Sequence, residues 1–150
     1  VSKAAINHLV EWKGQLVFIS SIAGLFGLPG ASIYCATKKA LTGFTESLRL
    51  ELLPKGVNVG VVYLGFTEHD PEKRIIAADG ELVLPDRPAH HSQADAAKLI
   101  VRMLERRKKQ VVMTPVGVLG SVVYRISPGF IEKAVLWAKS SQLGIAKRFS

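Results

Sequence analysis

Apolar positions along this chain fall into short runs and helical stripes that alternate. Gln15 to Ser20 (QLVFIS) is a β-branched and aromatic run, preceded by Lys13-Gly14 and followed by small residues. That pattern predicts a buried parallel strand whose carboxyl end delivers Ser20 and Ser21. A glycine-rich loop from Ala23 to Pro29 closes on Pro29-Gly30. From about Ser32 to Leu53 the period becomes helical, with Ala36, Ala40, Leu41, Phe44, Leu48 and Leu52 near one face, and Pro54 and Gly56 stop it. Val57 to Leu64 (VNVGVVYL) again has the character of a central strand. Strand, helix, strand in that order predicts a right-handed crossover between parallel neighbours, hence an α/β fold.

Gly65 to His91 is polar and broken by Pro71, Gly80, Pro85 and Pro88. It is longer than most connections in compact domains, which predicts a functional, lid-like segment. Ser92, three residues before Asp95, predicts a capping box for a helix running to about Lys108 with Ala97, Ile100, Val101 and Leu104 as its stripe. Gln110 to Thr114 (QVVMT) is a third strand candidate. Beyond Pro115 the glycines and Pro128 interrupt the pattern, and Phe130 to Lys139 predicts a last helix with apolar Ile131, Ala134, Val135 and Ala138. Two regions result: 1–115, a sheet-and-helix unit, and 116–150, an apolar and basic helical extension.

Composition narrows the classes. At 150 residues with 48% hydrophobic and 21% charged, the chain fits one globular domain and not a disordered or collagen-like one. Twenty basic against twelve acidic residues leave 20 − 12 = +8, which favours anionic partners: a phosphorylated cofactor, an acidic membrane surface or nucleic acid. With Cys35 as the one cysteine there is no internal disulfide, and four histidines without metal-like spacing predict no metal site. The start at Val1, without methionine or leader, suggests a fragment. The longest nearly uncharged apolar stretch, Val111 to Tyr124, is shorter than the roughly 20 residues a membrane-spanning helix needs.

Candidate chemistry sits on the long helix. Tyr34 and Lys38 are four apart, hence on one face one turn apart. A phenol ionises near pH 10 and is a poor acid or base at neutrality. A cation about 4 Å away at an effective dielectric near 20 favours the phenolate by roughly 4 kcal/mol, a role that suits Lys38. Ser21 ends the preceding strand, where ligands sit in open α/β sheets, so its hydroxyl can bond a substrate oxygen. Alone, Tyr-x-x-x-Lys is a weak motif that also describes a half-buried tyrosine beside a solvated lysine.

Its context is more specific. ISSIAG (Ile19 to Gly24), the serine one loop ahead of the tyrosine, YCATKKA (Tyr34 to Ala40) and the strand that follows together resemble the short-chain dehydrogenase/reductase family. The resemblance runs from near Leu16 to the loop around His69. It implies the C-terminal part of a doubly wound parallel-sheet (Rossmann-like) domain, and hydride transfer between NAD or NADP and an alcohol or carbonyl. It further implies that Ser21 orients the substrate oxygen, Tyr34 is the general acid/base, and Lys38 binds the nicotinamide ribose while lowering the Tyr34 pKa.

After the next strand, members of the family carry Pro-Gly, a hydrophobic residue whose backbone holds the cofactor carboxamide, and then a threonine. Here Gly65 matches, Phe66 is the hydrophobic residue, Leu64 replaces the proline, and His69 falls where the threonine is common, so that either Thr67 takes over the hydroxyl role or the contact is lost. The glycine-rich phosphate turn, the residue that selects between NAD and NADP, and the catalytic asparagine belong upstream. Asn7 is too close to Ser21 to match that asparagine. The 150 residues alone are expected to be inactive.

Several other features keep more than one reading. Arg102, Arg106, Arg107, Lys108 and Lys109 are a solvated helix terminus or a membrane-surface patch. Residues 116–150, mixing Tyr124, Arg125, Phe130, Lys133 and Trp137, are a peripheral membrane element, a subunit interface or a pocket wall. Phe66, Leu82, Val83 and Leu84 either line an apolar substrate site or anchor the lid. Cys35 packs as a small hydrophobe, and His90 and His91 are loop residues. Expected partners are a small or lipid-like alcohol or carbonyl and a further copy of the chain; no motif points to nucleic acid, and the cytoplasm is the expected compartment. A non-catalytic nucleotide-binding or membrane-associated protein on the same scaffold is the competing reading, motivated by Leu64 and the basic, apolar tail.

Overall fold

The computed structural model describes residues 2–68, 70–76, 80–84 and 90–140. The elements are α1 (Ser2–Glu11), β1 (Gln15–Ser21), α2 (Ser32–Leu52), β2 (Asn58–Leu64), a two-residue hairpin of β3 (Ile75–Ile76) and β4 (Leu82–Val83), α3 (Gln93–Glu105), β5 (Gln110–Val112), α4 (Pro115–Ile126) and α5 (Pro128–Ser140). One parallel sheet runs in the order β1-β2-β5. Register pairs Gln15 with Asn58 through Ser21 with Leu64, and Val61 with Gln110 through Tyr63 with Val112.

β2 is the central strand because nearly every side chain on it is apolar. Val59, Val61, Val62 and Tyr63 are buried, and one sheet face joins Leu48, Leu52, Val57 and Val59 to Ile6, Leu9, Val10, Leu16 and Phe18 from α1, α2 and β1. Gly60 points to the other face, where an added Cβ would come within 2.5 Å of Met103 Cε and 2.8 Å of the Lys108 carbonyl. That close approach seats α3. β1, expected to be buried, is half-exposed: Ser20 is its one buried residue, and Ile19 is 51% exposed. It lies at the sheet edge and pairs with β2 on one side.

The stripe read for α2 is rotated. Cys35, Thr45, Leu48 and Leu52 are its buried residues, while Ala36 and Ala40 are exposed and Phe44 is half-exposed with its ring edge-on to Phe18. Small residues suit close helix packing and open surface equally, so they misplaced the face. A 3-10 turn over Leu53–Lys55 and Gly56 at φ 79° end α2 where Pro54 and Gly56 predicted.

The glycines after Pro115 do not break the chain. Thr114 caps α4, accepting a hydrogen bond from Gly117 N at 3.0 Å, and Pro115 occupies the first turn. A Cβ on Gly117 would lie 2.9 Å from Val112 and 3.2 Å from Ile22, and one on Gly120 would lie 3.1 Å from Phe26. These glycines therefore let α4 close onto the loop after β1. Residues 141–150 of the extension lie outside the described residues.

Candidate active site

Parallel strands place their carboxyl ends at one edge. Ser21 stands there on β1, opposite Leu64 on β2, so the Gly65-Phe66-Thr67 segment starts beside it. Ser21 is extended, at φ −136° and ψ 161°, and its Oγ accepts a hydrogen bond from Ala23 N at 3.3 Å, capping a 3-10 turn over Ile22–Gly24. Its hydroxyl proton remains available to donate.

Tyr34 lies in the first turn of α2, 45% exposed, and borders an open depression of about 260 Å³ formed by Gly30 to Tyr34. Lys38 Nζ sits 5.6 Å from the centre of the Tyr34 ring. The geometry places the ammonium over the Tyr34 ring, one turn along the same helix. Neither polar end has a hydrogen-bond or carboxylate partner among the described residues. An exposed phenol and an uncompensated ammonium form a donor set suited to vicinal hydroxyls such as those of a ribose.

Three hydroxyls to which the sequence assigned no role hold Lys38 in place. Ser20 Oγ and Thr42 Oγ1 donate to the Lys38 carbonyl at 3.4 and 3.2 Å, and the Tyr63 hydroxyl donates to Thr42 Oγ1 at 3.1 Å. Tyr63 is 1% exposed, and burial pushes its phenol above the ordinary 10.0, an effect the Thr42 hydrogen bond partly offsets. Gly24 completes the fit, since a Cβ there would lie 2.9 Å from both the Lys38 carbonyl and Ser20 Oγ. One signal was available: a tyrosine inside an apolar strand needs a hydroxyl partner.

The loop after β2 is strapped to the chain before α3. The Phe66 carbonyl accepts from His90 N at 2.9 Å and His91 N at 3.2 Å, and Glu68 N donates to the His91 carbonyl at 2.9 Å. Thr67 bridges to His91 and donates its hydroxyl to the Gly65 carbonyl at 3.3 Å. Gly65 is required there, because a Cβ would meet Thr114 Cγ2 at 2.7 Å. The ends of the long connection therefore meet at the site, as in a compact loop. His69 lies outside the described residues. Leu82, Val83 and Leu84 are 66%, 39% and 56% exposed. Cys35 is buried and its sulfur accepts from Leu28 N at 3.4 Å. No His, Cys, Asp and Glu group that could hold a metal occurs among the described residues.

Residues 1–79 match the family described as short chain dehydrogenase. SadH of Mycobacterium tuberculosis, named as an oxidoreductase, is 33% identical over 155 aligned residues, covering 92% of this chain and 56% of SadH. Among solved structures, ElxO with NADP bound is 27% identical with a TM-score of 0.57, covering 73% of this chain and 48% of that one. A dehydrogenase from Burkholderia cenocepacia shares the fold at a TM-score of 0.68 and 22% identity, over 85% of this chain and 49% of its own. The chain spans about half the length of SadH and of these two structures.

Proposed function

The chain belongs to the short-chain dehydrogenase family, and from that premise we propose that the protein transfers hydride between NAD or NADP and an alcohol or carbonyl. One observation carries this reading: a half-exposed Tyr34 with the Lys38 ammonium 5.6 Å from its ring, on the helix whose Lys38 carbonyl accepts a hydrogen bond from Ser20, the neighbour of Ser21 at the end of β1. ElxO, similar over most of this chain, has NADP bound, which supports the choice of cofactor.

Tyr34 and Lys38 would hold the ribose hydroxyls of a bound cofactor, and Gly65, Phe66 and Thr67 would hold its nicotinamide end. When bound, that cofactor supplies the hydride acceptor or donor. Ser21 Oγ donates to the substrate oxygen and fixes it. In oxidation the Tyr34 Oη takes the proton of the substrate hydroxyl; in reduction it returns one to the carbonyl oxygen. The Lys38 ammonium stabilises negative charge on the phenol while this happens. Exposed Leu82, Val83 and Leu84 suit a small or lipid-like substrate that brings its own apolar surface.

The test is turnover of an alcohol and ketone panel by the full-length natural protein, followed by nicotinamide absorbance. Tyr34→Phe removes the proton carrier and is expected to lower the rate about 10²- to 10⁴-fold without changing the circular dichroism spectrum. An unchanged rate rejects the role of Tyr34. Nucleotide binding without turnover of any panel member supports instead the non-catalytic reading that Leu64 motivates.

A further inference from the structure

Because the sheet is parallel, the turns that enter its strands share the edge opposite the Ser21 and Tyr34 end. Each turn carries cations: Lys13 before β1, Lys55 before β2, and Arg106 to Lys109 before β5. The turns touch. Arg107 Nη2 donates to the carbonyls of Lys13 at 3.2 Å and Gly56 at 3.5 Å. Arg49 donates to the Val59 carbonyl at 2.7 Å and the Lys109 carbonyl at 3.0 Å. The Lys13 stem passes 3.3 Å from where a Cβ on Gly56 would stand.

Both guanidiniums are thus satisfied by neutral carbonyls, and their charge is not cancelled. Glu11, Glu51 and Glu105 occupy adjoining helical turns, yet none of these cations makes an ion pair among the described residues. Two apolar side chains stand among them: Trp12, 78% exposed beside Lys13, and Leu53, 54% exposed beside Lys55. Phosphodiesters would match the cations but give an exposed leucine nothing to contact. Lipid headgroups over acyl chains match both, with tryptophan at the interface and cations toward the phosphates.

We propose that this basic edge, centred on Lys13, Lys55, Arg106, Lys108 and Lys109 with Trp12 and Leu53 as apolar anchors, docks the protein on an anionic phospholipid surface. The site end then faces away from the bilayer. α4 offers a rival apolar row, with Val116, Leu119, Val122 and Ile126 exposed, but it begins at the opposite sheet edge.

The natural full-length protein is floated with vesicles of phosphatidylcholine alone or with about one-third phosphatidylserine, at low and high salt. Recovery is expected with the anionic vesicles only, falling about tenfold or more at high salt. The same fall is expected in Lys55→Glu/Arg106→Glu/Lys108→Glu/Lys109→Glu, and a smaller one in Trp12→Ala, with circular dichroism unchanged. Arg49 and Arg107 are left intact because they tie the turns together. Absence of recovery on anionic vesicles overturns the proposal. So does recovery that survives the four-residue reversal but is lost in Leu119→Ser/Val122→Ser, which would place the contact on α4. Equal binding to duplex DNA, indifferent to Trp12→Ala, would identify a general polyanion site and also overturn it.

Discussion

Thr42 accepts the hydroxyl of a buried tyrosine and passes its own proton to the backbone of Lys38. Removing either partner has unequal consequences, because an abandoned donor costs more than a missing one. Thr42→Val leaves the Tyr63 hydroxyl buried without its acceptor and is expected to destabilise by about 1 to 3 kcal/mol, against about 1 kcal/mol for Tyr63→Phe. The double variant should cost less than the sum in urea denaturation; strict additivity would show that the hydroxyls do not act as a unit. The Tyr63 pKa, raised chiefly by burial, gives a second readout. Folded protein holds this proton more tightly than unfolded chain does. Stability is therefore whole below the ordinary value of 10.0 and falls as pH rises through the higher folded one. Tyr63→Phe should flatten that alkaline loss in the denaturation midpoints. At this scale Ser21, Tyr34 and Lys38 were legible because their spacing along strand and helix is itself the signal. Ser20, Thr42 and Tyr63 were not, since a hydroxyl ladder crossing three elements leaves no period in any of them.

The start of helix α3 was legible to its first residue, because a capping box is written in four consecutive positions, but its stripe was not: Ala96 and Met103 are buried while Ala97 and Val101 are exposed, and the helix ends at Glu105, short of Lys108. Ser92 Oγ accepts from Asp95 N at 3.0 Å, and Ser92 N returns a hydrogen bond to Asp95 Oδ2 at 3.4 Å. Ser92→Ala is expected to cost about 0.5 to 2 kcal/mol, with amide exchange fastest in the first turn of α3; uniform exchange along the helix would exclude a capping effect. Hydrogen bonds from Ser92 hold the Asp95 carboxyl below its ordinary range, so the box is fully formed above the ordinary pKa. It is lost as pH falls through the lower folded value, and Ser92→Ala should weaken that acid dependence. α4 hid for the opposite reason: Gly117 and Gly120 serve tertiary approach to Val112, Ile22 and Phe26, which lie far away in sequence or across a turn. The Thr114-Pro115 cap was the better guide, a local feature that outlasted the glycines. Close approach is also the argument at Gly60. Gly60→Ala drives a methyl against Met103 and the Lys108 carbonyl, and backbone cannot rotate aside. A loss of about 1 to 3 kcal/mol is expected, with α3 the first element to exchange; wild-type stability would mean that the approach is looser than its distances imply.

For the whole molecule the sheet sets two poles. The residues proposed for the chemistry stand where the strands end and uncompensated cations where they begin, a polarity that follows from parallel pairing and no single motif. The same sheet has an open side. β2 is flanked by β1 and β5, whereas β1 is flanked by β2 alone among the described residues, and Ile19 stands half-exposed near its end. An edge of this length is a template for further pairing. This chain covers 56% of SadH. Ligands of open α/β sheets bind across neighbouring strand ends, so on the proposed reading Tyr34, Lys38 and Ser21 would supply one side of such a crevice. The isolated 150 residues are therefore expected to give no change in nicotinamide absorbance with any alcohol or ketone, and to self-associate through β1 in sedimentation velocity. Replacing Ile19 by Lys should place charge beside the open edge and shift the population toward monomer without restoring turnover. Turnover by the isolated monomer would show that the chemical group needs nothing beyond β1, and the half-crevice argument would fail.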